Sequence, residues 1–478
     1  MPRAAVWPDI RPSHNVGVIG TCEYGRYRGE GVSENRMQTE RPVREPVVWI
    51  EVDDLIAHFA YSEQPTGIQR VVAELVAAAY EARPQRFRLC RINALTNRFE
   101  AHNPDDIDAI VQRTRHTQCI QRRYARYHRR LGYLARDIVR ALPEYRQDRK
   151  GRPAAEAEFN ASMRPGDILL VPGASWVNPH FTIVLARAKA RHGCRVVQLV
   201  HDIIPIRHND ISQPDFVAAF TKWLHAMEAS VDIFLTPSRH VARELDAFAR
   251  QSGWRARPIV PIRFGTGFRS DADVPEIGLP SAVRQPYVLA VTTIDLRKNV
   301  SLLLQTWRRL LEAHGPDRVP MLVLAGHRGF KSAEILQPLS QDAVLAGHVI
   351  FLERVSDATL QALYRDAAFT AFPSRAEGWG LPVEESLAHG KFAICSNATS
   401  IPEVGGDFVD YFDPFDPDAA YDAFERAILD PGYLASRTER IVREFRPVAW
   451  QSTVDAILAA ADTDLEAVEP VAAAGAGA

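Results

Sequence analysis

FTAFPSRAEGWGLPVEESLAHG, residues 369 to 390, reads as a strand, a glycine turn and a helix. Phe369, Thr370, Ala371 and Phe372 are apolar and partly β-preferring, and Pro373 with Ser374 stops the strand. Gly378 and Gly380 flank Trp379, so the backbone can turn tightly and approach a ligand where a Cβ would obstruct it. Pro382 suits a first helical turn, where its missing N–H has no intrahelical partner, and Gly390 suits the position just past the last turn. Glu377 in the loop and Glu385 near the helix start bracket this turn with seven residues between them. That spacing can aim both carboxylates into one crevice, where their acceptor oxygens would grip a polyol. Read singly, each is more simply a solvated surface acid; the glycines between them favour the crevice.

Outward from the turn the same rhythm repeats. Strands are expected at 287–291, 321–325, 349–352 and 392–395, with helices at 299–313 (Leu302, Leu303 and Trp307 inward) and at 357–367, capped by Ser356. In the first half, strands are expected at 47–52, 87–92, 167–172, 195–200 and 231–235. A helix with Ile68, Val71, Val72, Leu75 and Val76 on one face follows Thr66 and Gly67. Short apolar runs alternating with helices specify α/β architecture, a parallel sheet with helices on both faces. Ligands in such sheets sit beyond the carboxyl ends of the strands.

Several strand ends carry suitable chemistry. Thr66 is an N-cap, and with Gly67 it would leave free N–H groups to hold an anion, unless it is a cap and nothing more. Arg297 and Lys298, just before a helix, form a diphosphate clasp or else a pair of solvated cations. His201 would bond a substrate hydroxyl or carbonyl, held in one tautomer by a neighbouring acid such as Asp202, although a lone His is more often structural. Ser238 and Arg239 follow the 231–235 strand, and Gly326 follows the 321–325 strand.

With 478 residues there is room for two or three domains, and 46% apolar against 24% charged residues describes a soluble globular chain of net charge −2. The expected division is a poorly ordered tail at 1–46, a first domain at 47–275, a second at 283–435, a helical segment at 436–463 crossing back to the first, and a disordered tail at 464–478. A Pro-, Asp- and Ser-rich linker near 270–284 joins the two domains. No apolar run long enough to span a bilayer and no signal-peptide core occur, so a cytoplasmic location is expected. The five scattered cysteines, without a CxxC pair, argue against a disulfide framework and a zinc site. Residues 111–152 hold thirteen Arg or Lys against three Asp or Glu, a basic arm that looks helical. It is expected to touch the anionic inner face of the plasma membrane, against the alternatives of a solvated helix and a nucleic-acid arm. No recognised nucleic-acid module lies beside it, and no nucleic-acid partner is expected.

Together these pieces resemble the retaining GT-B glycosyltransferases of family four, the glycosyl transferases group 1, across residues 47–461. The most specific mark is the two-glutamate motif, set within VSDATLQALYRDAAFTAFPSRAEGWGLPVEESLAHGKFAICSNATSIPEVGGDFVDYFDP (355–414). RKN at 297–299, HDIIP at 201–205 and PTGIQRVV at 65–72 fit the same family, the last especially its bacterial surface-polysaccharide members. Trp379 stands where Phe is commoner.

The resemblance implies two Rossmann-like domains facing each other across a cleft. It implies Glu385 on the ribose of a nucleotide sugar, Glu377 and His201 at the transferred sugar, and Arg297 with Lys298 on the departing diphosphate. Gly378, Trp379, Gly380, Leu381, Thr66 and Gly67 would assist with backbone groups, and Asp202, Ser238, Arg239 and Gly326 would line the cleft. No metal and no cofactor is expected; Asp271 and Asp273 form a DxD string, but within the linker. The donor is expected to be GDP-mannose, with rhamnose, glucose or galactose donors behind it, and the acceptor a glycan or a polyprenyl-diphosphate-linked oligosaccharide. Rival readings are a sugar-nucleotide epimerase and a non-catalytic binding protein on the same fold.

Overall fold

Strands with apolar residues on both faces can be covered only by helices on both sides, and the chain alternates accordingly. The computed structural model describes residues 44–59, 65–107, 152–266 and 277–463. The first sheet contains β1 (Val48–Glu51), β2 (Phe87–Asn93), β3 (Arg98–His102), β4 (Ile168–Val171), β5 (Arg195–Leu199), β6 (Ile233–Thr236) and β7 (Ile259–Pro261), in the order β3-β2-β1-β4-β5-β6-β7. The second contains β8 (Tyr287–Val291), β9 (Met321–Gly326), β10 (Val349–Glu353), β11 (Phe369–Phe372), β12 (Ala393–Ser396) and β13 (Asp410–Phe412), in the order β10-β9-β8-β11-β12-β13. Every pairing is parallel except β2 with β3.

Strand order reverses at β1/β4 in one sheet and at β8/β11 in the other. Crevices open at such switch points because consecutive crossovers leave to opposite sides. The segments that follow these four strands carry Asp54, in the helix Asp53–Phe59, and, in loops, Pro172, Arg297, Lys298 and Glu377.

Among the described residues the expected strands and helices are present with ends moved by a residue or two. Leu302, Leu303 and Trp307 are buried, and the Trp307 indole donates to Pro320 O at 2.9 Å. Ser356 caps the helix Asp357–Asp366, its hydroxyl accepting from Thr359 N–H at 3.1 Å. Gly390 takes φ +66° past the helix Leu381–Ala388, and Lys391 N–H returns to Ser386 O at 2.9 Å. Strands β3, β7 and β13 were not expected. Two have only three residues, and RFEAH of β3 exists through its antiparallel pairing with β2 rather than through an apolar pattern.

The chain reaches the end of the first sheet's lobe at Thr266 and comes back at Val448. These two residues bond each other: Thr266 N–H to Val448 O at 2.8 Å and Val448 N–H to the Thr266 hydroxyl at 2.9 Å. The last helix, Trp450–Ala461, then lies on the first lobe, with Trp450 stacked on Phe264 and the Thr453 hydroxyl on Arg263 O at 2.9 Å. The basic arm up to residue 151, the tails at 1–43 and 464–478, and the part of the linker holding Asp271 and Asp273 lie outside the described residues. Among the described residues no helix is long and apolar enough to cross a membrane, and Cys90, Cys194 and Cys395 are free and buried.

Candidate active site

After β8 the chain must reach the helix Val300–His314 through a loop that cannot relax into solvent. Asp295 accepts the Lys298 N–H at 2.9 Å, and Asn299, left-handed at φ +56°, donates to Pro373 O and Pro414 O at 3.2 and 3.0 Å. Arg297 O accepts the Arg375 N–H at 2.8 Å, tying this loop to the one after β11. The cations thereby meet Glu377. Lys298 Nζ donates to Glu377 Oε1 at 2.6 Å, and Arg297 Nη1 to Oε2 at 2.7 Å and to Ala376 O at 3.0 Å. The Thr399 and Ser400 hydroxyls donate to Glu377 O at 3.0 and 2.7 Å, and Glu377 N–H donates to Thr399 Oγ1 at 2.8 Å.

Burial raises the Glu377 carboxyl, but Arg297 and Lys298 outweigh it and hold the group at about 2. Burial also lowers Lys298, offset in part by Glu377. Burial opposes the Arg297 charge too, yet Glu377, Asp295 and Asp202 together raise it. The cluster of one acid and two cations keeps one net positive charge.

Glu385 lies on the helix Leu381–Ala388 that follows the glycine turn. Its Oε1 accepts from Arg70 Nη1 at 2.8 Å and its Oε2 from the Tyr364 hydroxyl at 2.8 Å, while Arg70 Nη2 reaches Asp357 at 3.0 Å. Glu384 is fully buried, with Oε1 accepting from Thr266 Oγ1 at 2.9 Å and Arg263 Nη2 at 3.2 Å, and Oε2 from the Trp379 indole at 2.8 Å. Arg70, Tyr364, Asp357, Glu384 and Glu403 were all missed in the sequence. Glu384 and Arg70 carried a signal, a charge within an otherwise apolar helix face; their partners carried none.

The first lobe presents His201, Asp202, Thr66, Gly67, Ser238 and Arg239. A Cβ on Gly378 would overlap the His201 carbonyl oxygen and press on Asp202, so glycine at 378 is what lets the two strand-end turns meet. The Ser238 hydroxyl donates to Gly378 O at 3.0 Å and accepts Val241 N–H at 3.1 Å, capping the helix Arg239–Gln251. The N–H groups of Arg239 and His240 reach the Glu403 carboxylate at 2.8 and 2.7 Å. Gly67 approaches Leu381, whose Cδ1 lies 3.8 Å from where a Cβ would be. Gly326, at φ +153°, lies against Thr292 O beside the clasp loop.

Two expectations are corrected. Asp202 does not orient His201: the His201 Nε2 bonds Pro172 O at 2.8 Å, and Asp202 accepts Ile204 N–H at 3.0 Å. A carbonyl can only accept, so Nε2 carries the proton and Nδ1 is left as an acceptor. Burial lowers the His201 pKa despite the Pro172 bond and nearby Asp54, which keeps the ring neutral. Asp54 itself, missed in the sequence, accepts from Gln69 Nε2 at 2.7 Å and from Ala174 N–H at 3.1 Å. Thr66 stands at the N-cap, but its hydroxyl goes to the Gln69 side chain instead of a helix N–H. Gln69, one turn on, competes successfully for that hydroxyl.

Two parallel sheets with facing strand ends, joined by a paired crossing, define the GT-B class of glycosyltransferase folds. HepE from Anabaena, solved with UDP and glucose, superposes with a TM-score of 0.52 at 16% identity over 87% of this chain and 100% of that one. Sucrose-phosphate synthase from Thermosynechococcus elongatus gives 0.52 at 19% identity, over 87% and 97%. The profile described as Glycosyl transferases group 1 matches residues 278–444, and Glucosyltransferase 3-like, N-terminal domain, matches 109–252. O-antigen chain mannosyltransferase B of Escherichia coli is 30% identical over 263 residues, 54% of this chain and 68% of that protein. Serotype-specific mannosyltransferase WbdA of Escherichia coli is 25% identical over 264 residues, and the match spans 32% of its length. The chain belongs to the group 1 glycosyl transferases.

Proposed function

We propose that this chain is a retaining hexosyltransferase that takes mannose from GDP-mannose and adds it to a glycan or polyprenyl-diphosphate-linked acceptor in surface-polysaccharide synthesis. The observation that carries the reading is the cluster of half-buried Arg297 with buried Lys298 and Glu377 at a strand-order switch point. Breaking the bond from sugar to diphosphate develops negative charge on the leaving oxygen and positive charge at the anomeric carbon. Cations fixed before the reaction stabilise that state more than the ground state. In this reading Arg297 and Lys298 take the diphosphate, Glu377 is left facing the sugar, and Glu385 accepts the ribose hydroxyls. Neutral His201, with Nδ1 as acceptor, bonds a hydroxyl of the transferred sugar. The acceptor attacks on the leaving-group face, so the anomeric configuration is kept. The two cations do the work a metal would do, so transfer proceeds in the presence of chelator. Mannose as the sugar is supported by the names of the Escherichia coli relatives.

The test is nucleotide release from a panel of GDP-, UDP- and ADP-sugars, with and without a lipid-linked glycan extract, in EDTA, with the product's anomeric configuration read by NMR. GDP released from GDP-mannose only when acceptor is present, with an α-linked product, is the expected result. Release from another donor overturns the mannose assignment, an inverted product the retaining one, and turnover without any acceptor favours an epimerase.

A further inference from the structure

Glu385, the residue given to ribose above, is already covered by protein groups. Both oxygens are bonded at 2.8 Å, one by Arg70 and one by Tyr364, and its side chain is only 4% exposed. Each oxygen keeps a further lone pair, but with so little of the side chain exposed a vicinal diol reaches it only by moving one of the two. Tyr364 is anchored: it is buried, its ring stacks on His389 at 5.0 Å between centroids, and its hydroxyl also lies 3.4 Å from Pro382 O in the same lobe. Arg70 comes from the opposite lobe, on the helix Gly67–Ala82, and its side chain retains 16% exposure. Its second arm holds Asp357, in the first turn of the helix Asp357–Asp366. One guanidinium thus clips together two helices of the second lobe, and one turn before it Gly67 packs on Leu381, where the helix after the glycine turn begins.

We propose, resting on the ribose reading of Glu385, that Arg70 is a latch that competes with the nucleotide: it occupies the ribose acceptor and must withdraw before a donor can seat. A ribose diol cannot reach a carboxylate only 4% exposed while a cross-lobe arginine covers one oxygen and a buried tyrosine the other. The latch therefore sets the fraction of molecules competent to bind, and apparent affinity falls by that fraction. The geometry also gives a direction, since Asp357 lets Arg70 hold the second lobe even when one arm lets go.

Calorimetric titration of the full chain with GDP, and separately with UDP and ADP, tests this. Arg70→Ala is expected to bind the accepted nucleotide roughly tenfold more tightly than the unaltered chain. Asp357→Asn, which removes one arm of the latch and leaves Glu385 intact, should shift affinity the same way by less, and it decides the matter if Arg70→Ala does not fold. Glu385→Gln is expected to weaken binding. Unchanged or weaker nucleotide binding in Arg70→Ala, with Glu385→Gln weakened, overturns the latch and leaves the ribose reading standing. Unchanged binding in Glu385→Gln overturns the ribose reading, and the latch with it. In turnover, a latch lowers KM in the Arg70 variant, whereas a purely structural arginine moves melting temperature and kcat alone.

Discussion

Glu377 shows how burial and charge divide the control of one acid. Desolvation pushes the carboxyl up, the two cations pull it down, and the cations win, leaving it at about 2 against an ordinary 4.5. A group depressed on folding adds stability above its unfolded value and loses it as pH falls through the folded one. The contribution of Glu377 is therefore complete above about pH 4.5 and gone near pH 2. Melting followed by circular dichroism from pH 5 to 2.5 should show a steeper decline for the unaltered chain than for Glu377→Gln. The variant starts lower because buried Lys298 and half-buried Arg297 lose their counter-charge, a cost of about 3 kcal/mol. Parallel curves would show that Arg297 and Lys298 do not set this titration. Glu377 and its two cations were legible in the sequence because each sits at a strand end beside a helix start. Arg70 on Glu385 was not, since 315 residues separate them and nothing in the local pattern announces a partner.

The glycine turn between β11 and the helix Leu381–Ala388 does its work by what it leaves out. At Gly378 a methyl group would collide with the His201 carbonyl and lean on Asp202. Gly378→Ala should consequently separate the two turns and break the 3.0 Å bond from Ser238 to Gly378 O. Expected is a loss of transfer of at least about a hundredfold, because the turn that carries His201 and the turn that carries Glu377 are forced apart. A variant that keeps full transfer would mean the His201 turn yields without consequence. Element reading succeeded here for a physical reason: proline, glycine and alternating apolar runs are local signals. It failed for β7 and β13, where three residues on sheet margins gain their conformation from neighbours rather than from their own pattern. The role first given to Asp202 failed likewise, because Pro172, on a different strand end, reached the His201 ring instead.

Across the whole molecule Glu384 joins the lobes. One buried carboxylate collects Thr266, Arg263 and Trp379, and Thr266 is bonded in turn to Val448. Glu384→Ala should leave the Trp379 indole and the Thr266 hydroxyl without an acceptor, destabilising the fold by about 2–5 kcal/mol in urea unfolding, since each stranded buried donor costs about 1–3 kcal/mol. Glu384→Gln, keeping one acceptor oxygen, should lose less; equal losses would mean that volume, not hydrogen bonding, is what the site requires. The general α/β alternation could be read along the chain, but this junction could not, because it assembles residues from three distant segments. Its mechanical meaning lies in the pairing of Thr266 with Val448. Outgoing and returning segments are fastened to one another, so the second lobe hangs like a door on a single pin instead of two. With the cross-lobe bonds of Arg70, Ser238 and Glu403 released, rotation about that pin would carry the far margin of the lobe farthest and the residues at the pin least.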